Sequence, residues 1–139
     1  MHPILRNVLA IIAGVVVGGI VNSAIVSISA EVISPLAGAI LTTEEGLKAA
    51  MQLIEPKHFI MPWLAHAMGS LVGAMLAALI AATQKIRFAL SIGLVFLLGG
   101  MYMVVILPSP WWFTLVDLVG AYLPMAYLGG RFVASKMSK

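Results

Sequence analysis

Asp117 stands inside an apolar run, Trp111–Gly130, that is long enough to cross a bilayer. A carboxylate at the centre of a membrane helix costs about 2.5–3.5 kcal/mol even on the mildest scales. Such an acid faces protein or a wet cavity and often marks a place where a proton, a cation or a ligand is held. Asn22, His66 and Tyr102 fall inside three other such runs. Histidine gains and loses a proton near neutral pH, so an imidazole beside Asp117 would form a proton relay. Asn22 and Tyr102 would orient that pair through hydrogen bonds. At a helical rise of about 1.5 Å per residue, all four lie roughly 6–9 Å below the same membrane face. The expectation is one polar layer, Asn22–His66–Tyr102–Asp117, with Glu31 and His58 just above it near water. The plainer alternative is a set of hydrogen bonds, each worth about 1 kcal/mol or less, that hold a bundle in register.

The elements that must carry these residues follow from composition. Of 139 residues, 62% are hydrophobic and 9% charged, whereas a soluble domain carries about 25% charged residues. The chain cannot cover a water-facing surface, which places it in the membrane class. Four apolar spans are read at Val8–Ile28, Pro62–Ala82, Phe88–Leu107 and Trp111–Gly130, each near the roughly 20 residues a helix needs to span hydrocarbon. Helices are required because backbone polar groups in lipid must be satisfied within the segment. The fold class expected is an all-α four-transmembrane-helix bundle, with residues 1–139 as a single transmembrane domain. The first span exceeds a typical signal-peptide core and is read as an uncleaved helix. Cysteine is absent, which excludes disulfides and thiolate metal sites. The net charge of +3 does not point to nucleic acid, because the basic residues sit at span ends. Arg6, Lys85, Arg87, Arg131, Lys136 and Lys139 would share one side, against Lys48 and Lys57 on the other. Six against two predicts cytoplasmic termini. Trp63, Trp111 and Trp112 would then form the outer aromatic belt, with Phe88, Tyr127 and Phe132 at the inner one.

The connection between the first two spans is the only long one. Ser34-Pro35 reads as a helix stop, and Thr42 to Glu45 as a capping box. Leu47, Ala50, Met51 and Ile54 follow at helical spacing, opposite Glu44, Lys48, Gln52 and Glu55. A short amphipathic helix over about residues 43–55, lying on the outer membrane surface and ended by Pro56, is expected. It would cap the bundle or act as a lid over the polar layer. On the second span, Gly69, Gly73, Ala77 and Ala81 form an i+4 ladder of small residues that shares a face with His66. Gly14, Gly18 and Asn22 repeat the pattern on the first span. Such ladders let helix backbones approach closely, which drives association in lipid. The fourth span gathers Thr114, Asp117, Gly120, Ala121 and Pro124 on one side, and the third is read with Ser91, Val95, Gly99 and Tyr102 together.

These features favour a small proton- or ion-coupled transporter or ligand-binding membrane protein, in which Asp117 and His66 hold the proton or ligand. The alternative is an accessory or assembly subunit that docks through its small-residue faces. Four helices rarely enclose a pathway alone, so a homo-oligomer or a larger membrane complex is the expected partner, together with the bilayer itself. Met61, Met68 and Met75 recur every seven residues near His58 and would suit Cu(I) by ligand type. Their sulfurs would stand about 10 Å apart along the axis, so no metal or other cofactor is assigned. No nucleophile beside a base, His-Glu zinc motif or phosphate loop is present, which argues against an enzyme. The segments Glu55-Pro56-Lys57-His58-Phe59, Leu64-Ala65-His66-Ala67, Pro108-Ser109-Pro110 and Leu118-Val119-Gly120-Ala121-Tyr122 resemble those of a group of short four-helix bacterial integral membrane proteins. The resemblance covers nearly the whole chain. It implies a bacterial cytoplasmic membrane and brings no activity or site residues with it. The first span departs from small multidrug-resistance proteins, which carry a membrane glutamate there, where this chain has Asn22 at depth and Glu31 only near the end.

Overall fold

A computed structural model of the chain describes residues 1–34 and 37–138. Pro35 of the expected Ser34-Pro35 stop, and Lys139 of the charge count, lie outside the described residues. Among the described residues six α-helices follow in order: α1 Pro3–Val32, α2 Glu44–Met51, α3 Ile60–Ile80, α4 Lys85–Ile106, α5 Trp111–Gly120 and α6 Leu123–Met137. A 3-10 turn, Pro56–Phe59, leads into α3. No strand occurs among the described residues. Four helical stretches are long and apolar enough to cross a membrane: α1, α3 with its leading turn, α4, and α5 with α6. Large apolar residues such as Ile12, Val16, Ile20, Leu98, Val105, Leu115 and Val119 remain exposed around these helices, a surface suited to acyl chains rather than water.

Each helix end has a local cause. Pro3 opens α1, where its missing N–H costs nothing, and the His2 imidazole accepts the Ile4 N–H at 3.3 Å. The last carbonyls of α3 have no partner within the helix. Lys85 Nζ bonds those of Ala78 and Ala81 at 3.0 Å each, and the Arg6 guanidinium bonds that of Ile80. Asn7 Oδ1 accepts the Ala82 N–H at 2.8 Å. Two basic residues at this end therefore also complement the negative end of the α3 dipole. Gln84 takes a left-handed conformation, φ 47°, in the tight turn before α4.

The helices meet through small residues. α1 lies along α3, its principal neighbour. A Cβ built on Gly14 would stand 2.8 Å from the Gly73 carbonyl oxygen, and one on Gly18 would stand 2.6 Å from that of Gly69. Only hydrogen at those positions lets the two backbones touch. α6 packs on α3 and α4 by the same device: Gly129 faces the Leu71 carbonyl and Gly130 faces Ala89. Between them lies a core of Ala74, Ala77, Ala78, Ala89, Ile92, Ala126 and Val133.

α2 lies across the end of the bundle where α1 and α4 finish. Its cap differs from the expected one. Thr43, not Thr42, is the N-cap, and its hydroxyl accepts the Gly46 N–H at 3.1 Å. The chain folds back tightly here, and a Cβ on Gly46 would collide with the Ile40 carbonyl, so the helix begins where glycine can occupy its third position. Glu44 and Lys48 pair along α2 at 2.7 Å. Lys57 pairs with Glu55 at 3.0 Å and holds that exposed carboxyl below the usual range. The other departure is the fourth span, which is two helices rather than one.

Candidate functional site

α5 ends at Gly120 and α6 begins at Leu123. Pro124, in the first turn of α6, has no N–H to give the Gly120 carbonyl, and its ring would clash with that carbonyl in a continuous helix. The path therefore breaks at Ala121 and Tyr122, the latter with φ −106° and ψ −78°. The break has a geometric result. On a straight helix, side chains five residues apart point about 140° away from each other. Here Asp117 and Tyr122 both turn toward α3, where His66 meets them.

The three side chains form a closed set of contacts. His66 Nδ1 lies 2.7 Å from Asp117 Oδ1. The Tyr122 hydroxyl donates to Asp117 Oδ2 at 3.0 Å and lies 3.1 Å from His66 Nδ1. The His66 and Tyr122 rings stack with centroids 5.5 Å apart and planes 25° from parallel. Asp117 is 4% exposed and Tyr122 3%, whereas the His66 side chain is 29% exposed. Gly100 of α4 makes room for the phenol, because a Cβ there would fall on the Tyr122 hydroxyl. Trp63, Phe96, Leu97, Leu118 and Met125 pack around Tyr122 and its neighbours. The Trp63 indole N–H reaches the Val116 carbonyl at 3.4 Å and ties α3 to α5 beside the triad.

His66 and Asp117 line the floor of a cavity of about 540 Å³ at the α2 end of the bundle. This lies within the roughly 300–1,000 Å³ of small-molecule sites. The walls come from the last turns of α1 and α4 and from the start of α5. The roof is the apolar face of α2 and the residue beyond it: Leu47, Ala50, Met51 and Ile54. Polar groups on the walls are few, namely Ser29, His58, Ser109 and Thr114.

The polar layer read from the sequence is thus reorganised. His66 and Asp117 come together, and His58 lines the cavity above them. Tyr102 does not join them: it is 65% exposed and leaves the bundle. The reason is angular. α4 turns Ala89, Ile92, Gly93 and Gly100 inward, and Tyr102 lies about 200° around the helix from Gly100. Val95 is likewise exposed and Gly99 has nothing within 4 Å, so the face read as Ser91–Val95–Gly99–Tyr102 is the outward one. Asn22 lies against Gly69 in the α1–α3 interface, where its buried Oδ1 has no hydrogen-bond partner. Ser70 Oγ, on the adjacent α3 residue, is buried without a partner as well. Glu31 is exposed near the end of α1 and does not line the cavity. Met61 lines the cavity while Met75 packs against Gly129 of α6, so the methionine row does not converge. Tyr122 is the site residue that sequence reasoning missed. The signal for it was Pro124, two residues beyond it in a membrane span, which requires a break and so changes which residues share a face.

Comparison with protein-family models, curated proteins and solved structures finds no match. The comparisons therefore do not bear on a bacterial origin, and the site must be read from its own chemistry.

Proposed function

We propose that this chain is a small integral membrane protein that binds a small, mainly apolar molecule in the α2-roofed cavity, with the His66–Asp117–Tyr122 triad as its polar anchor and transport as the setting. The observation that carries the reading is a buried carboxylate–imidazole pair at the floor of an apolar chamber. Large apolar pockets with a few convergent polar groups are where membrane and soluble proteins hold small molecules. An ionisable pair at membrane depth adds a place to keep a proton while the ligand is bound. The basic residues Arg6, Lys85 and Arg87 stand at the end away from α2, and by the positive-inside tendency the cavity would open away from the cytoplasm, with α2 at the interface.

The test uses the neutral, environment-sensitive dye N-phenyl-1-naphthylamine with protein purified in mild detergent. Saturable fluorescence enhancement is expected, and it should be lost in Val104→Trp, which fills the cavity from α4. Enhancement that never saturates, or that survives Val104→Trp unchanged, would remove the reading.

A second reading, an accessory subunit of a larger membrane assembly, draws on Gly19 and Gly99. Both have open space where a side chain would stand and could admit a foreign helix closely. Native mass spectrometry separates the two readings: a lone monomer carrying small-molecule adducts supports the first, a protein partner the second.

A further inference from the structure

Most polar side chains of the cavity already have a hydrogen-bond partner. The Ser29 hydroxyl donates to the Val26 carbonyl at 2.7 Å. The Ser109 and Thr114 hydroxyls pair at 2.8 Å. The two ring nitrogens of His58 face the Glu55 and Ser34 carbonyls at 3.3 and 3.1 Å. On the floor, Asp117 has a partner for each of its oxygens. One side-chain nitrogen has no partner at all. His66 Nε2 has no hydrogen bond among the described residues and is not among the buried unpartnered atoms, so it is accessible, on a residue that lines the cavity.

The network also bears on what Nε2 can do. An ionised carboxylate only accepts hydrogen bonds. With Asp117 ionised, the ring neutral and the Tyr122 O–H at Oδ2, the short contact at Oδ1 places the imidazole proton on Nδ1. The tautomer is assigned from these partners, by the rule that one ring nitrogen's bond sets the state of the other. Nε2 then presents a lone pair to the cavity. Among the described residues the lining contains no Lys or Arg, and Asp117 is its one carboxylate.

Resting on the ligand-binding reading above, we infer that the cavity selects a neutral or cationic amphiphile with a single hydrogen-bond-donating head, an alcohol or an amine, seated on His66 Nε2 with its hydrocarbon under α2. A donor head satisfies the unpartnered Nε2. An ether of the same length leaves that acceptor unpaired. A carboxylate or phosphate head meets a lone pair and a neighbouring negative charge, with no cation to offset either. An ammonium head gains from Asp117 behind the imidazole.

The experiment is displacement of N-phenyl-1-naphthylamine by four ten-carbon probes: 1-decanol, decylamine, decyl methyl ether and decanoate. Each is referenced to Val104→Trp to remove partition into detergent. Decanol and decylamine are expected to displace the dye about tenfold more tightly than the ether, the worth of one net hydrogen bond, with decanoate weakest. In His66→Phe, decanol and the ether should become equal. Should the ether match decanol on the wild-type protein, or decanoate bind most tightly, the inference falls while the cavity reading stands. That comparison needs no variant at His66, so it holds even if His66→Phe does not fold. Dye that never binds saturably removes the reading and this inference with it.

Discussion

Asp117 is costly where it sits, and what it touches explains how it is tolerated. Both carboxylate oxygens have a partner, an imidazole nitrogen at one and a phenol O–H at the other, and charge-assisted bonds are stronger than neutral ones. Asp117→Asn keeps the volume, and its NH2 group is accommodated only if the imidazole moves its proton to Nε2. The expected cost is about 1–3 kcal/mol, from exchanging hydrogen bonds to a charged group for neutral ones. Tyr122→Phe removes one hydroxyl and leaves Asp117 with His66, so its cost should be about 1 kcal/mol or less. Denaturant unfolding in micelles compares the two variants. A Tyr122→Phe loss equal to or greater than that of Asp117→Asn would contradict the role given to the carboxylate.

At the scale of helices, two devices position the site: glycine contacts that fix α3 against α1 and α6, and the break that turns α5 and α6 inward. Gly73 faces the Gly14 carbonyl at a distance no side chain tolerates, whereas nothing lies within 4 Å of a Cβ on Gly19. Gly73→Ile should therefore destabilise by about 1–3 kcal/mol, as overpacking does, while Gly19→Ile should change stability by less than about 0.5 kcal/mol. Equal losses in the two variants would show that helix propensity, not the α1–α3 contact, governs these positions. The sequence was informative where periodicity alone decides. The i+4 row Gly69, Gly73 and Ala77 on α3 packs on α1, and Leu47, Ala50, Met51 and Ile54 of the α2 segment form one apolar side. It was misleading where the answer depends on a neighbour or on a break. α4 is apolar all round, so the same spacing that groups Tyr102 with Gly99 fits an outward face as well as an inward one. The Asp117–Tyr122 pairing is invisible to any straight-helix projection and follows only once Pro124 is allowed to interrupt the span.

For the molecule as a whole, the two ends differ. At one, short turns and basic side chains seal the helix termini of α3 through Arg6, Asn7 and Lys85. At the other, α1 and α4 run on past the core, and the short helix α2 closes over the space they leave. Between them, glycine and alanine contacts leave the bundle tightly closed, so the cavity ends at the triad. The account depends on that floor: a carboxylate that keeps the imidazole proton on the nitrogen facing away from the cavity. Nitrogen-15 NMR of His66 in the membrane-embedded protein measures this directly. The account predicts, for the neutral ring, a protonated Nδ1 and a bare Nε2, with the assignment lost in Asp117→Asn. A neutral ring protonated at Nε2, with resonances indifferent to Asp117→Asn, would contradict it.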